Sequence, residues 1–323
     1  MSNREKLLWG LYGAVLVLLF LMSSTDLIIK EKTAAVYPVS IIVSQTTDEY
    51  YGNFKKGMDK AAEEYKGDVN FITLYTDHSQ QQQLELFLRE MKDGAGAIIL
   101  EPVQGEKTVM ALDEIKPSCP VVLLGADSPE AYVSGAITAD RYGMGKRLGE
   151  AVAENLQSHQ EIYLFTEGLD YGGNGEAYGG FCSVLEERGL SWRLYEKRDS
   201  DSYRQAIEST VYPGNEHIVV AALDAPSLDE TARILESSSV YRQHVEGLYG
   251  IGDTTAILSA LDKGIVDGIV TYNQFNAGYL SVKRAVEAAE GLQARTFLQL
   301  EHFYLEQEDL RKKEYEKMLY PIE

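Results

Sequence analysis

The sequence predicts an α/β protein whose main part forms two lobes, each built on a doubly wound parallel sheet, after one N-terminal transmembrane helix. Short apolar runs alternate with amphipathic stretches of helical length from Pro38 onward, which is typical of strand–helix units. The apolar runs are rich in Val and Ile without two-residue alternation, as in strands buried on both faces. These units are too numerous for one small sheet, and no low-complexity linker divides them, so short crossovers are expected to join the lobes.

The composition excludes several classes of function. The chain has 323 residues and a formal charge of −20, and phosphate backbones require a basic surface, so no nucleic-acid partner is expected. Cys119 and Cys182 are too few for a disulfide framework or a four-thiolate zinc site. No histidine pairs at metal-ligand spacing, so neither a metal nor a cofactor is predicted. We interpret the histidines as surface or core residues: His78, His159, His217, His244 and His302.

Residues 7–25 form an uncharged, mostly apolar segment that is long enough, as a helix, to span the roughly 30 Å hydrocarbon core of a bilayer. Arg4 and Lys6 precede it and Asp26 follows it, so the N-terminus is expected in the cytoplasm and the remainder outside. The segment is either an uncleaved anchor or a signal peptide cleaved near Ser23. The lack of an A-x-A site favours the anchor. This predicts a single-pass cell-membrane protein with an extracytoplasmic binding domain.

The periodicity predicts the following elements. Strands are expected at residues 39–44, 70–76, 97–102, 120–125, 162–168, 193–197, 217–224, 248–253 and 267–273. Helices are expected at residues 50–65, 80–92, 144–156, 176–188, 227–236, 254–262 and 277–290.

The order of these elements also predicts the domain boundaries. The parts are a membrane segment (1–35), lobe 1 (36–140 and 274–294), lobe 2 (141–273 and 295–305) and a helical tail (306–323). Crossovers are expected near residues 139–142 and 273–276, where turn-type residues interrupt the pattern.

In open α/β sheets, ligands bind beyond the carboxyl ends of the strands. The candidate ligand-binding residues are Ser44, Tyr50, Tyr51, Glu101, Asp127, Asn174, Asp224, Asp253 and Tyr272. The adjacent tyrosines suit a polyol, although either can instead pack into the sheet. The four acids suit several ligand hydroxyls, a cation, a metal, or acid/base cleavage of a glycoside. Helix capping is the competing interpretation, above all for Asp127 and Asp253.

The candidate Asn174 lies in the glycine-rich stretch GLDYGGNGEAYGGF, residues 168–181. This stretch lacks both the P-loop pattern and the spacing of the dinucleotide fingerprint, so nucleotide binding is not expected. Its glycines are expected to let the backbone turn tightly or approach a small ligand closely.

Several segments together resemble the type I periplasmic binding proteins of the ribose- and sugar-binding class, which are related to LacI-type effector domains. The segments are VSIIVSQTTDEYYGNFKKGMDKAAEE, QQQLELFLREMKDGAGAIILEPVQ, PVVLLGADSPEAYVSGAITADRYGMGKRLGE, IVVAALDAPSLDETARIL and YGIGDTTAILSALDKGIVDGIVTYNQFNAGYLSV. They cover roughly residues 36–305 in the family's order and imply its two-lobed fold. The resemblance implies ligand contacts at Ser44, Tyr50, Tyr51, Glu101, Asp224 and Tyr272.

The chain departs from the family pattern at three ligand positions. Gly125-Ala126 stands where sugar binders carry Asp-Arg, residues 174–177 lack their arginine, and Ile251-Gly252 replaces Phe-Asp. The arginine–carboxylate clamp for sugar hydroxyls is therefore not preserved. A neutral polyol or a cationic ligand is favoured over an ordinary aldopyranose.

The leading hypothesis is a monomeric, membrane-tethered solute-binding protein that traps a small polar ligand by lobe closure and is not an enzyme. It would present the ligand to the permease of an ABC importer. The alternative partner is a membrane histidine kinase, for which the chain would be a ligand-sensing co-receptor. A remoter alternative is an exported glycoside hydrolase that uses two strand-end carboxylates. A degenerate fold that acts only through protein contacts also stays open, because the clamp is not preserved.

Overall fold

The computed structural model describes residues 2–24, 36–198, 202–211, 217–292 and 294–321. The chain divides into two compact units, Met1–Val36 and Tyr37–Glu323. The first unit contains one helix, α1 (Asn3–Ser24), whose apolar side chains are exposed. Within the described residues, it is the one helix long and apolar enough to cross a membrane, by length and composition. Residues 25–35 at the end of the predicted membrane segment, and the last two residues of the predicted tail, lie outside the described residues.

The second unit alternates strands and helices. Its strands are β1 (Tyr37–Ile42), β2 (Gly67–Ile72), β3 (Ala97–Leu100), β4 (Val121–Leu124), β5 (Val133–Ala139), β6 (Gln160–Thr166), β7 (Trp192–Glu196), β8 (His217–Ala222), β9 (Val245–Ile251), β10 (Gly268–Tyr272), β11 (Thr296–Leu300) and β12 (His302–Leu305). Its α-helices are α2 (Gly52–Tyr65), α3 (Gln80–Lys92), α4 (Gly105–Ile115), α5 (Arg141–Asn155), α6 (Asn174–Glu187), α7 (Tyr203–Val211), α8 (Ala225–Ser237), α9 (Ser239–His244), α10 (Thr255–Asp262), α11 (Gln274–Ala289) and α12 (Lys313–Leu319).

The strands form two sheets, one in each lobe. The first has the order β11-β5-β4-β3-β1-β2 and is parallel throughout. The second has the order β12-β10-β9-β8-β6-β7, and only β12 runs antiparallel, against β10. Both orders are doubly wound, which brings the carboxyl ends of the parallel strands to one edge of each sheet. The predicted fold class is therefore confirmed.

The burial pattern explains why these residues form strands. The runs AIIL in β3 and VVLL in β4 are buried along their whole length, as expected of central parallel strands covered on both faces. The edge strand β11 instead alternates between half-buried and exposed residues. Each buried apolar side chain contributes on the order of 25 cal/mol per Å² removed from water, so the central strands supply much of each core.

The periodicity missed β5, β11, β12, α4, α7 and α9. In β5 (VSGAITA), small residues dilute the apolar signal, and β11 (TFLQL) and β12 (HFYL) are partly exposed strands close to a charged tail. α9 has only six residues, which is too short for a helical period to appear. α4 buries little more than Thr108 and Leu112, so its apolar face is narrow.

Within the described residues, the chain crosses between the sheets at three places. Two coincide with the predicted crossovers, from β5 into α5 and from β10 into α11. The third is Glu301, between β11 and β12. We predicted residues 295–305 for lobe 2, but β11 adds a parallel strand to β5 of the first sheet, and only β12 joins the second. The boundary therefore falls inside the predicted segment, because the edge of the first sheet accepts β11 before the chain crosses.

The C-terminal tail touches both lobes. It forms a 3₁₀ helix, Gln307–Arg311, followed by α12, and it buries Met318 and Leu319 in the core of the second lobe. From α2 of the first lobe, Asn53 Nδ2 donates to the Leu319 carbonyl oxygen at 3.0 Å. The predicted helical tail is therefore partly buried and contacts both lobes.

Glycines bring two helix pairs into backbone contact, α5 with α6 and α2 with α11. A Cβ atom on Gly145 of α5 would lie 1.9 Å from the Ala177 carbonyl oxygen. A Cβ on Gly57 of α2 would lie 1.9 Å from the Phe275 carbonyl oxygen. Because α5 and α11 each begin directly after a crossover, these contacts fix the position of both crossover segments on their lobes.

We expect Gly145→Ala to lower the free energy of unfolding by about 2–3 kcal/mol, because α5 and α6 must move apart to admit the methyl group. Denaturant unfolding of the full chain in detergent measures this change. The matched control is Gly52→Ala in α2, where an added Cβ has no neighbouring atom within 4 Å. The control should change stability by less than about 1 kcal/mol. Equal stability of the two variants would contradict the prediction.

Candidate ligand-binding cleft

The carboxyl ends of the two sheets face each other across a cavity of about 120 Å³. Both lobes line it, with Ser44 and Glu101 from the first and Asn174 and Asp224 from the second. An engineered apolar cavity of roughly 150 Å³ holds benzene. The cavity between the lobes therefore suits a ligand with the bulk of one small ring.

Glu101 is the polar centre of the first lobe's wall. Its Oε2 accepts hydrogen bonds from the backbone nitrogen and the hydroxyl of Ser44, both at 3.0 Å, and from the hydroxyl of Tyr51. Burial, reinforced by the charge of Glu101, raises the pKa of Tyr51 well above its ordinary value, so its hydroxyl stays protonated and donates. The three predicted residues thus form one hydrogen-bonded group in the wall.

Asp224 has the corresponding place in the second lobe. Its Oδ2 accepts hydrogen bonds from Thr166 Oγ1 at 2.8 Å, Glu167 N at 2.9 Å and Asn174 Nδ2 at 3.0 Å. Its Oδ1 accepts from Ser227 N at 2.9 Å and caps α8. Burial and then the charge of Glu167 raise the pKa of Asp224, and the backbone hydrogen bonds oppose this rise. Asp224 is therefore both a helix cap and part of the cavity wall.

Glu167, directly after β6, adds another carboxylate to the wall. Its Oε1 accepts hydrogen bonds from Tyr203 Oη at 3.1 Å and Lys197 Nζ at 3.3 Å. Burial alone would raise the pKa of Glu167, but the nearby imidazole of His78 and the charge of Lys197 lower it overall. Glu167 is therefore ionised at neutral pH, with Lys197 of the same lobe as its counter-ion.

The two adjacent tyrosines have different roles: the Tyr51 ring packs in the core of the first lobe, and Tyr50 lies in the cavity wall. The ring of Tyr51 packs edge-on against Phe54 and Phe71, with centroid distances of 6.1 and 5.5 Å. Tyr50 is half-buried in the cavity wall. Burial and then the charge of Asp229, on α8 of the other lobe, raise the pKa of Tyr50 to about 12. The phenol of Tyr50 therefore faces the second lobe.

Residues beside two crossovers complete the cavity. Arg141 begins α5 and Tyr272 ends β10, and the Arg141 guanidinium carbon lies 5.8 Å from the centre of the Tyr272 ring. Gln274, the first residue of α11, lines the same cavity. Burial raises the pKa of Tyr272, and the charge of Arg141 partly opposes this rise. Among the described residues, no hydrogen-bond acceptor or carboxylate pairs with the Arg141 guanidinium.

The lobes also meet through His78 of the first and Tyr171 of the second. Their rings stack with centroids 4.0 Å apart and an interplanar angle of 11°, and His78 Nε2 lies 3.8 Å from Glu167 Oε2. His78 has a φ of 56°, a left-handed conformation that is uncommon outside glycine. Our interpretation of every histidine as a plain surface or core residue is wrong for His78, because the turn after β2 brings its ring into the cavity wall.

Seven of the nine predicted residues line this cavity, and Asp127 and Asp253 do not. Asp127 is exposed on an outer groove and is paired with Arg295. Asp253 is buried, and its Oδ2 has no hydrogen-bond partner among the described residues. The capping role that we considered for Asp253 belongs instead to Thr254, whose side chain caps α10.

Sequence reasoning assigned no role to several lining residues, namely Gln45, His78, Arg141, Glu167, Tyr171 and Gln274. Arg141 and Gln274 lie in the predicted crossovers, and Glu167 and Tyr171 lie in or beside the glycine-rich stretch, so their positions carried a signal. His78 carried none, since its place depends on a left-handed turn. Within the described residues, no group of three or more His, Cys, Asp or Glu side chains is arranged to hold a metal ion.

The sequence and the fold both match known binding proteins. The family model of the periplasmic binding protein domain matches residues 39–293, which is more than half of the chain. The search of curated protein sequences found no match to this chain. A carbohydrate transporter solute binding protein of Agrobacterium radiobacter, solved with D-arabinose, is similar over 89% of this chain and 100% of its own, at 15% identity and a TM-score of 0.78.

Two further solved structures are similar. GanP, a glucose-galactose binding protein from Geobacillus stearothermophilus, is 19% identical, with 86% of this chain and 100% of GanP covered and a TM-score of 0.73. A chain of the XylFII–LytSN complex is 17% identical, with 85% of this chain and 99% of that chain covered and a TM-score of 0.70. At such identities these likenesses bear on the fold alone. The family match and the two doubly wound lobes together show that the chain belongs to the periplasmic binding protein domain family.

Proposed function

We propose that this chain is a membrane-tethered, extracytoplasmic solute-binding protein that captures a small polyhydroxyl ligand, a sugar or polyol, by lobe closure. It presents the closed, loaded form to an ABC importer, and it breaks no bond. The observation that carries the proposal is the cavity of about 120 Å³ whose walls come from both lobes and from the crossovers between them.

The contacts between the lobes support a cycle of opening and closing. Apart from the crossovers and the tail, the lobes are joined at the cleft by few non-covalent contacts, the His78–Tyr171 stack and a weak 4.0 Å pair between Glu49 and Arg233 among them. Opening would break these contacts and admit a ligand. A ligand that touches both walls adds contacts only in the closed state, and therefore shifts the population toward closure.

The cavity's polar groups favour a polyhydroxyl ligand over the cationic one that the sequence left open. Glu101 and Asp224 already accept several hydrogen bonds from the chain itself, which stabilise both carboxylates without an ammonium partner. Gln45, Gln274 and Arg141 bring hydrogen-bond donors to the same cavity. A ligand rich in oxygen acceptors and hydroxyls matches this set better than an ammonium group does.

The N-terminal helix supports the tether. α1 is long and apolar enough to span a bilayer, and the positive charges before it favour an extracytoplasmic position for the rest of the chain. Two structural relatives are named as transporter solute binding proteins, one with D-arabinose and one with α-D-tagatopyranose. These relatives support delivery of a sugar-like ligand to an importer.

A membrane histidine kinase is the second candidate partner. One relative, XylFII, has been solved in a complex with LytSN, so this fold also serves in stable association with another protein. An anchor that stays attached suits a co-receptor held beside its kinase. Photocrosslinking of the loaded chain in its native membrane distinguishes the two outputs, since it captures either a permease or a kinase.

We do not propose the hydrolase. A pair of catalytic carboxylates is needed, and both oxygens of Asp224 are already hydrogen-bonded within the chain. The named relatives are solute-binding proteins rather than enzymes.

Asp253 lowers the stability of the strand ends beside the cavity. It is 6% exposed, its Oδ2 has no hydrogen-bond partner among the described residues, and burial raises its pKa to about 6. The hydroxyl of Thr271, which lines the cavity, partly opposes this rise. Unsatisfied buried carboxyl groups concentrate at functional sites, which supports a binding role for this edge of the second sheet.

We expect at least one monosaccharide, or a reduced or oxidised derivative of one, to raise the melting temperature of the full chain in detergent by several degrees. Tyr50→Ala should weaken that ligand about 10-fold in calorimetry, because it removes an aromatic wall of the cavity. The control Tyr75→Ala removes a tyrosine that is 78% exposed, and should leave affinity unchanged. If no compound of this panel stabilises the chain, the proposed capture function is wrong.

We expect the chain to retain its N-terminal helix in the membrane. Intact mass spectrometry of the protein from washed membranes should give the mass of the uncleaved chain, because no A-x-A cleavage site follows the apolar run. The control replaces residues 23–25 with Ala-Phe-Ala, which creates a cleavage site and should release a soluble form. A mature N-terminus near Ser23 in the native chain would show that the segment is a signal peptide.

We expect Asp253→Asn to remove a pH dependence of stability. The folded chain holds the Asp253 proton more tightly than the unfolded chain, so the associated stability is present below about pH 4 and is lost as the pH rises through about 6. Between pH 4 and 7.5, the stability of the variant relative to the original chain should therefore rise by up to about 3 kcal/mol. Denaturant unfolding at both pH values measures this, and the exposed Asp68→Asn should show no such trend.

A further inference from the structure

We infer that the preferred ligand carries a carboxylate, and that Arg141 selects it, so that the cavity favours a sugar acid over the corresponding neutral sugar. This inference rests on the proposed function and names the ligand class for the same cavity. It follows from the pairing of charges in the wall and from the position of Arg141 at a crossover.

The carboxylates of the wall draw their hydrogen-bond donors from their own lobes. Glu101 receives the hydroxyls of Ser44 and Tyr51 and the backbone nitrogen of Ser44. Glu167 has the ammonium group of Lys197 at 3.3 Å, which Glu230 shares at 2.7 Å. Asp224 accepts hydrogen bonds at both of its oxygens. Glu101 and Asp224 receive only neutral donors and keep their charge, but none of the three carboxylates forms an ion pair or a hydrogen bond with the Arg141 guanidinium.

Arg141 is a cation of the wall that has no carboxylate partner of its own among the described residues. It is half-buried, and it lines both the main cavity and an adjoining cavity of about 40 Å³. Its aliphatic part packs against Gly173, and the only ring, hydrogen-bond or ion-pair partner of its guanidinium among the described residues is the face of the Tyr272 ring, at 5.8 Å. A partly buried charge without a counter-ion is unfavourable, so an anionic group on a ligand in this cavity would be stabilised.

Another arginine of the same helix shows what a compensated site looks like. Arg147 lies 4.4 Å from the centre of the Tyr304 ring, which resembles the position of Arg141 over Tyr272. Arg147 also has a carboxylate, with 3.7 Å between its Nη1 and Glu150 Oε2. The two arginines thus share a helix and an aromatic neighbour, and they differ in whether the chain provides the anion.

The chemistry of the guanidinium group favours a carboxylate over a hydroxyl. Its planar fork can donate two parallel hydrogen bonds to a carboxylate, and such charge-assisted pairs are roughly twice as strong as neutral ones. Arg141 also begins α5 directly after the crossover from β5, where the lobes are covalently joined. It can therefore hold the ligand in the open form, before closure adds the wall of the opposite lobe.

The test compares matched acid and neutral ligands on the full chain in detergent: D-galacturonate with D-galactose, and D-gluconate with D-glucitol. Calorimetry should show at least one acid binding 10-fold or more tightly than its neutral partner. Arg141→Gln should weaken that acid about 10- to 100-fold and the neutral partner by far less, because the glutamine amide still donates a hydrogen bond but carries no charge. Arg141→Lys keeps the charge without the fork, and should retain part of the preference.

Arg147→Gln is the matched control, and it should keep the full preference for the acid. The melting temperatures of the unliganded variants check that each one folds. A neutral sugar that binds as tightly as its acid, or an Arg141→Gln variant that weakens both members of a pair equally, overturns the inference and leaves ligand capture intact. If neither acids nor neutral sugars stabilise the original chain, the proposed function falls together with the inference.

Discussion

Buried carboxylates at the strand ends impose the constraint on which the cleft depends. Glu101 directly follows β3 and is half-buried, whereas Asp224 caps α8 after β8 and is buried. A buried carboxylate without donors costs several kcal/mol, so each one must gather donors from other segments. Ser44 and Tyr51 come to Glu101, and Asn174 comes to Asp224. These hydrogen bonds fix the strand ends of each lobe relative to one another. The cavity walls are therefore formed before a ligand arrives.

The crossovers impose a second constraint, because a lobe can move only about the segments that join it to the other. Arg141 and Tyr272 lie at the ends of two such segments, and close helix packing at Gly145 and Gly57 holds these segments to their lobes. Groups near the axis of a rotation move little when the lobes open. Ligand contacts made there can therefore precede closure, whereas contacts made by the His78–Tyr171 stack depend on it.

The parts of the fold and site that follow from local pattern were predictable from the sequence. The buried Val- and Ile-rich strands, and the rule that ligands bind beyond parallel strand ends, were enough to find Glu101, Asp224 and Tyr272. Asp127 illustrates where that rule fails. It lies two residues past Gly125, whose φ of 71° turns the chain, and it pairs with Arg295, which precedes the unpredicted strand β11. The addition of an edge strand and the direction of a left-handed turn depend on tertiary structure. The periodicity of the sequence therefore does not predict them.

The His78–Tyr171 stack depends on the backbone conformation of Gly168, which the sequence encodes by placing a glycine there. Gly168 follows β6 with a φ of 145°, and a Cβ there would lie 2.8 Å from the ring of Tyr171. Only glycine permits both this turn and the return of the Tyr171 ring over it. The ring can then meet His78, which is itself held at a φ of 56°. Two uncommon backbone conformations, one from each lobe, are thus placed against each other at the rim of the cavity. The stack between the lobes helps to offset the strain at His78, which is on the order of 1–3 kcal/mol.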